Sequence, residues 1–142
     1  AVLYKEHAAA AGIAIEVVRE PSDGYWSIGW MKKPWGACYW GGRPTEDWMF
    51  STAYMGGASW NDTFWKNDRF DKLLIEARAE TNQAKRREMY FEMQKIVSDK
   101  GGVVVPMFAN YVFGTSDKVA HGTMAGNWDL DGDKFHERWW YS

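Results

Sequence analysis

The chain has a single cysteine, Cys38, in 142 residues, so no disulfide can close within it and its redox compartment stays open. It has no apolar run near the ~20 residues a membrane-spanning helix needs. Neither sign of charge is in excess: 17 basic and 19 acidic residues leave a net charge of -2, which gives no electrostatic case for nucleic acid or an anionic membrane. Histidine is scarce and scattered at His7, His121 and His136, and suggests neither a zinc cluster nor a Ser/His triad. A phosphate-binding Gly-x-x-x-x-Gly-Lys loop, a dinucleotide fingerprint and a Gly-x-Ser-x-Gly elbow are all missing. So are internal repeats and low-complexity runs. The first eleven residues carry Lys5, Glu6 and His7, unlike a signal peptide. What remains is a globular composition, 46% hydrophobic and 25% charged, with no enzymatic constellation in it.

What is present in excess is aromatic: ten Trp, seven Tyr and seven Phe. An indole must bury its ring while its N–H still finds a partner, so an aromatic core explains any one of them. The crowding of Trp26, Trp30, Trp35, Trp40, Trp48, Trp60 and Trp65 into one segment points in addition to exposed stacking surface for a ligand.

Periodicity predicts an α/β chain. Ala1 to Ala11 reads as an alanine-rich helix without a capping residue at its start, stopped by Gly12. Ile13 to Val18 has strand composition. After the Pro21–Gly24 turn, Tyr25 to about Lys32 reads as a helix whose Trp26, Gly29 and Trp30 share a packed face, ended by Pro34. Gly36 to Trp40 fits a second short buried strand, in which Cys38 is an inert core thiol. Thr45 to Met55 is a short helix or an irregular segment with Glu46 and Asp47 near its N-terminus.

Two helices are clearer. Asn67 or Asp68 caps the first, where Phe70, Leu73, Leu74 and Ala77 follow the i, i+3, i+4, i+7 rule. Thr81-Asn82 caps the second, with Met89, Met93 and Ile96 as its stripe; Lys85, Arg86 and Arg87 read as a solvated face. They form a helical hairpin. Val103 to Phe108 then reads as a strand that Pro106 confines to a sheet edge. The remainder, ending Arg138-Trp139-Trp140-Tyr141, has too little apolar pattern for its own core.

The stretch Tyr39-Trp40-Gly41-Gly42-Arg43-Pro44-Thr45-Glu46-Asp47 carries ligand chemistry: aromatic rings, two glycines that permit a sharp turn, and a guanidinium. Arg43 reads either as a ligand contact or as an ion-pair partner of Glu46 or Asp47. Asn61-Asp62-Thr63 matches a glycosylation sequon, a pattern too short to weigh. Asn127, Asp129 and Asp131 stand at positions one, three and five of a calcium-loop pattern with Gly132 at six, but Arg138 occupies position twelve; a β-turn with acidic side chains fits better.

With Phe70 to Arg78, Thr81 to Arg86, Tyr90 to Ile96, Val104-Val105-Pro106-Met107-Phe108 and Val119-Ala120-His121-Gly122 in that order, the chain resembles the C-terminal part of the family-5 extracellular solute-binding proteins of ABC importers, which include dipeptide- and oligopeptide-binding proteins. The resemblance implies a fragment of a two-lobe periplasmic binding protein fold (type II, cluster-C-like), with a mixed sheet, flanking helices and the helical hairpin. Residues 1–112 would belong to the distal lobe, and residues 113–142 would cross the hinge to pack on a first lobe outside this chain. It further implies a non-enzymatic protein without a cofactor. Its partners would be a small solute and an inner-membrane permease, and not nucleic acid. It would sit in the periplasm, or be lipid-anchored outside a Gram-positive cell.

Peptide-binding members have a tryptophan followed three residues later by an aspartate that holds the peptide's amino group. Trp40 matches the tryptophan, but Arg43 stands in the aspartate's place, and a guanidinium attracts carboxylate or phosphate instead of ammonium. The expected solute is therefore peptide-like or another small polar molecule, anionic, opine-like or sugar-derived. The expected contacts are Trp40, Arg43, Tyr39, Asp47, Trp60 and Asn61. The alternative is a tryptophan-rich carbohydrate-binding or carbohydrate-processing module.

Overall fold

A computed structural model describes residues 1–142 and shows a small mixed α/β protein, 43% helical with one two-stranded sheet. The chain divides into two compact units, residues 1–40 and residues 41–142. No helix is long and apolar enough to cross a membrane.

In the first unit, helix α1 (Val2–Ala10) forms as its alanine content predicts, begins without a side-chain cap and ends where Gly12 takes a φ of +77°. Helix α2 (Tyr25–Ile28) is one turn, shorter than the predicted Tyr25 to Lys32. Its aromatics make an edge-to-face cluster in which Trp26 meets Tyr25, Trp30 and Tyr39 at ring-centroid distances of 5.5, 5.7 and 5.4 Å. The Tyr25 hydroxyl donates to the Ala37 carbonyl at 3.0 Å, which ties the segment after Pro34 back to this turn.

The core lies in the second unit. Helix α3 (Glu46–Met49) starts at Thr45, whose Oγ1 accepts from the Trp48 N–H at 3.3 Å, and continues as a π-helical turn, Phe50–Tyr54. The switch from α to π has a local cause. Ser51 Oγ and Thr52 Oγ1 donate to the carbonyls of Asp47 and Trp48 at 2.6 and 2.7 Å, so the backbone bond moves to the next register and Met55 N–H reaches Phe50 O at 2.8 Å. Helix α4 (Asp68–Ala79) is capped by Asn67 and helix α5 (Gln83–Lys100) by Asn82, whose side chains accept from N–H groups of the first turns at 3.0 to 3.2 Å. Asp68 and Asp71 at the start of α4 and Arg78 at its end suit the helix dipole.

The predicted α4 stripe is the buried one: Phe70, Leu73, Leu74 and Ala77 are all inside. With Phe50, Ala53, Tyr54, Tyr90 and Met93 they form the apolar core. Phe50 packs 5.2 Å from the Phe70 ring edge-on and 6.4 Å from Tyr90 in a near-parallel stack. At Gly56 the chain passes so close to α4 that a Cβ would lie 2.5 Å from Asp71 Oδ2, while the Gly56 N–H donates to Asp71 Oδ1 at 2.9 Å. A side chain there would push the Asp71 carboxylate aside.

Three predicted strands do not form. Ile13–Val18, Gly36–Trp40 and Val103–Phe108 have no strand pairing, and Val104, Val105, Met107 and Phe108 are exposed. β-branched composition marks a segment that fits a pleated surface, but a strand exists only where another strand completes its hydrogen bonds. The predicted mixed sheet is therefore replaced by an antiparallel pair in the tail, β1 (Val119–His121) with β2 (Trp139–Tyr141), in the register Ala120 opposite Trp140. The tail also makes a small aromatic cluster of Phe113, His121, Phe135 and Trp139, more local packing than its composition promised. Cys38, expected inside a strand, is exposed.

Candidate functional site

The second unit carries a groove of about 500 Å³ lined by Arg43, Trp48, Ser51, Thr52, Ser59 and Trp60, with Ala58 at its wall. It is an open surface depression, not an enclosed cavity. Two short segments build it. One is α3 with its π turn, where Trp48, Ser51 and Thr52 fall at i, i+3 and i+4 and so share a face. The other is the Gly57–Trp60 loop, which presents Ser59 and Trp60. Trp48 and Trp60 are each about half exposed, at 48% and 51%.

Arg43 is fixed by the glycines before it. Its Nη1 donates to the carbonyls of Gly41 and Gly42 at 3.0 and 3.1 Å, and its guanidinium lies 5.6 Å from the centre of the Trp48 ring, within cation–π range. The Gly42 carbonyl also accepts from the Trp128 indole at 3.1 Å, so the tail braces the same turn. Ser51 and Thr52 face the groove with their protons already committed to Asp47 O and Trp48 O. Ser51 Oγ in addition accepts from Arg78, so its hydrogen bonding is directed into the protein.

Asp47 is the hinge pin of this wall. Its carboxylate receives a two-pronged bond from Arg78, Nε at 2.9 Å and Nη2 at 3.1 Å, together with the Tyr90 hydroxyl at 3.0 Å. Arg78 Nη2 also donates to Ser51 Oγ. Burial opposes the Asp47 charge, but Arg78, Tyr90 and Ser51 outweigh it and hold the carboxyl below its ordinary value. The same contact raises Arg78, and burial with Asp47 beside it raises Tyr90. Asp47 thus fastens α3 to α4 and α5, and the partner it has chosen is Arg78.

Asn61 is buried and serves the loop. Its amide donates to Trp65 O at 2.8 Å and Met55 O at 3.2 Å, with a weak third contact to Tyr54 O at 3.5 Å, and its Oδ1 accepts from the Thr63 hydroxyl at 2.7 Å. The sequon is closed in the folded protein, since the amide nitrogen that a glycan would need faces backbone carbonyls.

Of the residues expected to contact solute, Arg43 and Trp60 come together in the groove. Asp47 and Asn61 stand behind it as supports. Tyr39 and Trp40 belong to the aromatic cluster of the first unit, where Trp40 meets Trp30 at 6.4 Å. Trp48 was marked only as one of the crowded tryptophans, and Ser51, Thr52, Ala58 and Ser59 were not expected at the groove; Ser51 and Thr52 stand at i+3 and i+4 from Trp48, while Ala58 and Ser59 carry no such signal.

The calcium-loop pattern has a different use. Leu130, Asp131 and Gly132 run through left-handed backbone with φ of 47°, 65° and 71°, which costs a non-glycine residue ~1–2 kcal/mol. This turns the Asp131 side chain inward, where it is buried and accepts from the Ala125 N–H, from the Trp139 indole at 3.1 Å and from Arg138 at 3.2 Å. The Ala125 N–H first, then Trp139 and Arg138, hold its carboxyl below the ordinary value against the effect of burial. Asp131 staples the tail sheet to the turn, and no group of three or more His, Cys, Asp or Glu side chains is placed to hold a metal ion.

Comparison of the chain with known family models, characterised proteins and solved structures finds no match.

Proposed function

We propose that this chain is part of the solute-binding component of an ABC-type importer, a non-enzymatic protein that captures a small polar solute between two lobes and delivers it to a membrane permease. The observation that carries the reading is the groove, in which Arg43, two half-exposed indoles and hydroxyl groups meet between the α3 segment and the loop that follows it. The ordered segments from Phe70 to Gly122 that resemble family-5 solute-binding proteins support the importer setting, and a periplasmic or lipid-anchored extracellular location follows from it. The Asp47–Arg78–Tyr90 bonds suit a binding wall, because they lock the helix that displays Trp48 before any ligand arrives.

Exposed Trp48 and Trp60 also fit a carbohydrate-binding module. A carbohydrate-processing role is less well served, because glycoside hydrolysis needs a carboxylate pair across the site and the groove lining contains none.

Native mass spectrometry of the intact protein, purified without denaturation, tests the binding step. It should carry one small polar molecule, identified after release by unfolding. Protein that carries none, and whose tryptophan fluorescence responds to no peptide, sugar or organic acid, overturns the reading. For the importer step, cells lacking the protein should fail to take up the identified molecule; undiminished uptake refutes it.

A further inference from the structure

Between α5 and β1 the chain runs from Val103 to Ser116 without helix, strand, turn or bend. No backbone N–H or C=O from Val103 to Thr115 makes a hydrogen bond within the protein. The segment is held at both ends: a Cβ on Gly102 would lie 3.0 Å from Thr63, and the Phe113 ring packs 5.5 Å from Trp139. Between these anchors Val104, Val105, Met107, Phe108 and Val112 stand out from the surface, Phe108 at 93% exposure. A row of open backbone groups beside apolar side chains fits a second β-strand, which alone meets both along its whole length. From Gly101 to Ser116 there is no charged side chain, so nothing here recruits a charged partner and nothing repels a copy of the same segment.

Proline restricts how two copies can meet. In an antiparallel pair, residues whose N–H and C=O face the partner alternate with residues whose groups face away. Pro106 has no N–H, so it belongs with those that face away. Two identical strands related by a two-fold axis cross at one residue that stands opposite itself. With the axis at Phe108, Pro106 lies opposite Asn110 and faces away, while the N–H groups of Val103, Val105, Met107, Ala109, Tyr111 and Phe113 turn to the partner. The same register sets Val103 opposite Phe113, Val105 opposite Tyr111 and Val104 opposite Val112, the aromatic and β-branched pairs that stabilise sheets. Moving the axis by two residues keeps Pro106 outward but leaves Val104 and Val105, or Tyr111 and Val112, without apolar partners.

We propose that residues 103–113 are a self-association strand, on which a second copy of this chain docks antiparallel about a two-fold axis at Phe108. Eleven extended residues make an edge roughly 37 Å long and ~10 Å deep, on the order of 400 Å² on each copy. That is about half the ~800 Å² per partner of a standard interface, so the dimer is weak and reversible.

Sedimentation velocity of the intact protein from about 1 to 300 µM, the range where a weak dimer forms, should show the average mass rising toward twice the monomer's. Hydrogen exchange read by mass spectrometry should slow about fivefold across residues 103–113 in the concentrated sample. Val105→Pro removes an N–H that faces the partner and should shift dimerisation to at least about tenfold higher concentration, whereas Val104→Pro removes one that faces away and should change it little. Both positions lie outside every helix and strand, and circular dichroism checks that each variant is folded. In a Cys38→Ser background, which removes the exposed native thiol, Phe108→Cys should cross-link two copies on oxidation and Asn110→Cys should not. Protein that stays monomeric at every concentration overturns the proposal. Slow exchange across residues 103–113 in such a monomer would assign the strand to another part of the same polypeptide. Equal effects of Val104→Pro and Val105→Pro, or equal cross-linking by Phe108→Cys and Asn110→Cys, would overturn the register and with it the strand pairing.

Discussion

Asn61 offers the sharpest test of how the groove is built, because one buried amide joins its two halves. Replacing it by alanine leaves the carbonyls of Trp65 and Met55 and the Thr63 hydroxyl without the partners they hold at 2.8, 3.2 and 2.7 Å. Each buried polar group left unpaired costs about 1–3 kcal/mol, but these three are only part-buried and water can reach some of them. A total loss of about 2–4 kcal/mol is expected for Asn61→Ala, a large share of the roughly 5–15 kcal/mol that a domain has. Asn61→Asp should be worse at neutral pH, since it keeps the acceptor for Thr63 but points a negative charge at carbonyl oxygens.

The sign of its pH dependence follows. In the fold, those carbonyls disfavour the carboxylate form, so the new acid's pKa is raised above its unfolded value. The native state then binds more protons, and stability falls as pH rises through that interval. Urea unfolding of the intact protein at neutral and acidic pH, read at constant m-value, measures both effects. An Asn61→Asp variant within about 0.5 kcal/mol of wild type at neutral pH would refute the assignment of Asn61 as the loop's fastening, since changes of that size are typical of neutral surface positions.

Three further outcomes are expected. Phe70→Ala, at a position with no solvent exposure and ring contacts to Phe50 and Trp65, should lose about 3–5 kcal/mol in the same assay. Gly56→Ala, whose methyl would meet Asp71 Oδ2 at 2.5 Å, should lose about 1–3 kcal/mol, and pairing it with Asp71→Ala should recover part of that loss. Asp47→Asn should lose about 1 kcal/mol at neutral pH, modest because Arg78 is nearly half exposed and solvent screens the pair. Because the Asp47 carboxyl is held below its ordinary value, its contribution is full above about pH 4 and fades as pH falls further; wild type and Asp47→Asn should converge in acid, and a constant gap would contradict the ion pair.

Local chemistry in the sequence settled the helical hairpin. Asn67 and Asn82 cap their helices through side-chain oxygens one turn away, and Phe70, Leu73, Leu74 and Ala77 share a face through helical periodicity alone. Such features depend on neighbours within about four residues, so they are legible without a fold. The strands were not, because pairing is a non-local property: Val103–Phe108 has strand composition and no strand beside it, while the three-residue β1 and the aromatic β2 find each other across the tail.

The site divides in the same way. The sequence marked Arg43 and Trp60 as ligand chemistry from residue type. Only tertiary structure separated Asp47 and Asn61 from them, because a carboxylate or an amide looks the same in sequence whether it faces solvent or Arg78 and the carbonyls of Met55 and Trp65. It was also tertiary structure that brought Trp48, Ser51 and Thr52 beside Arg43 and Trp60. Thirty-one positions separate Asp47 from Arg78, and that contact holds the helix with its indole exposed. Residue type determined what chemistry the chain can offer, and long-range contacts decided which side chains are left to offer it.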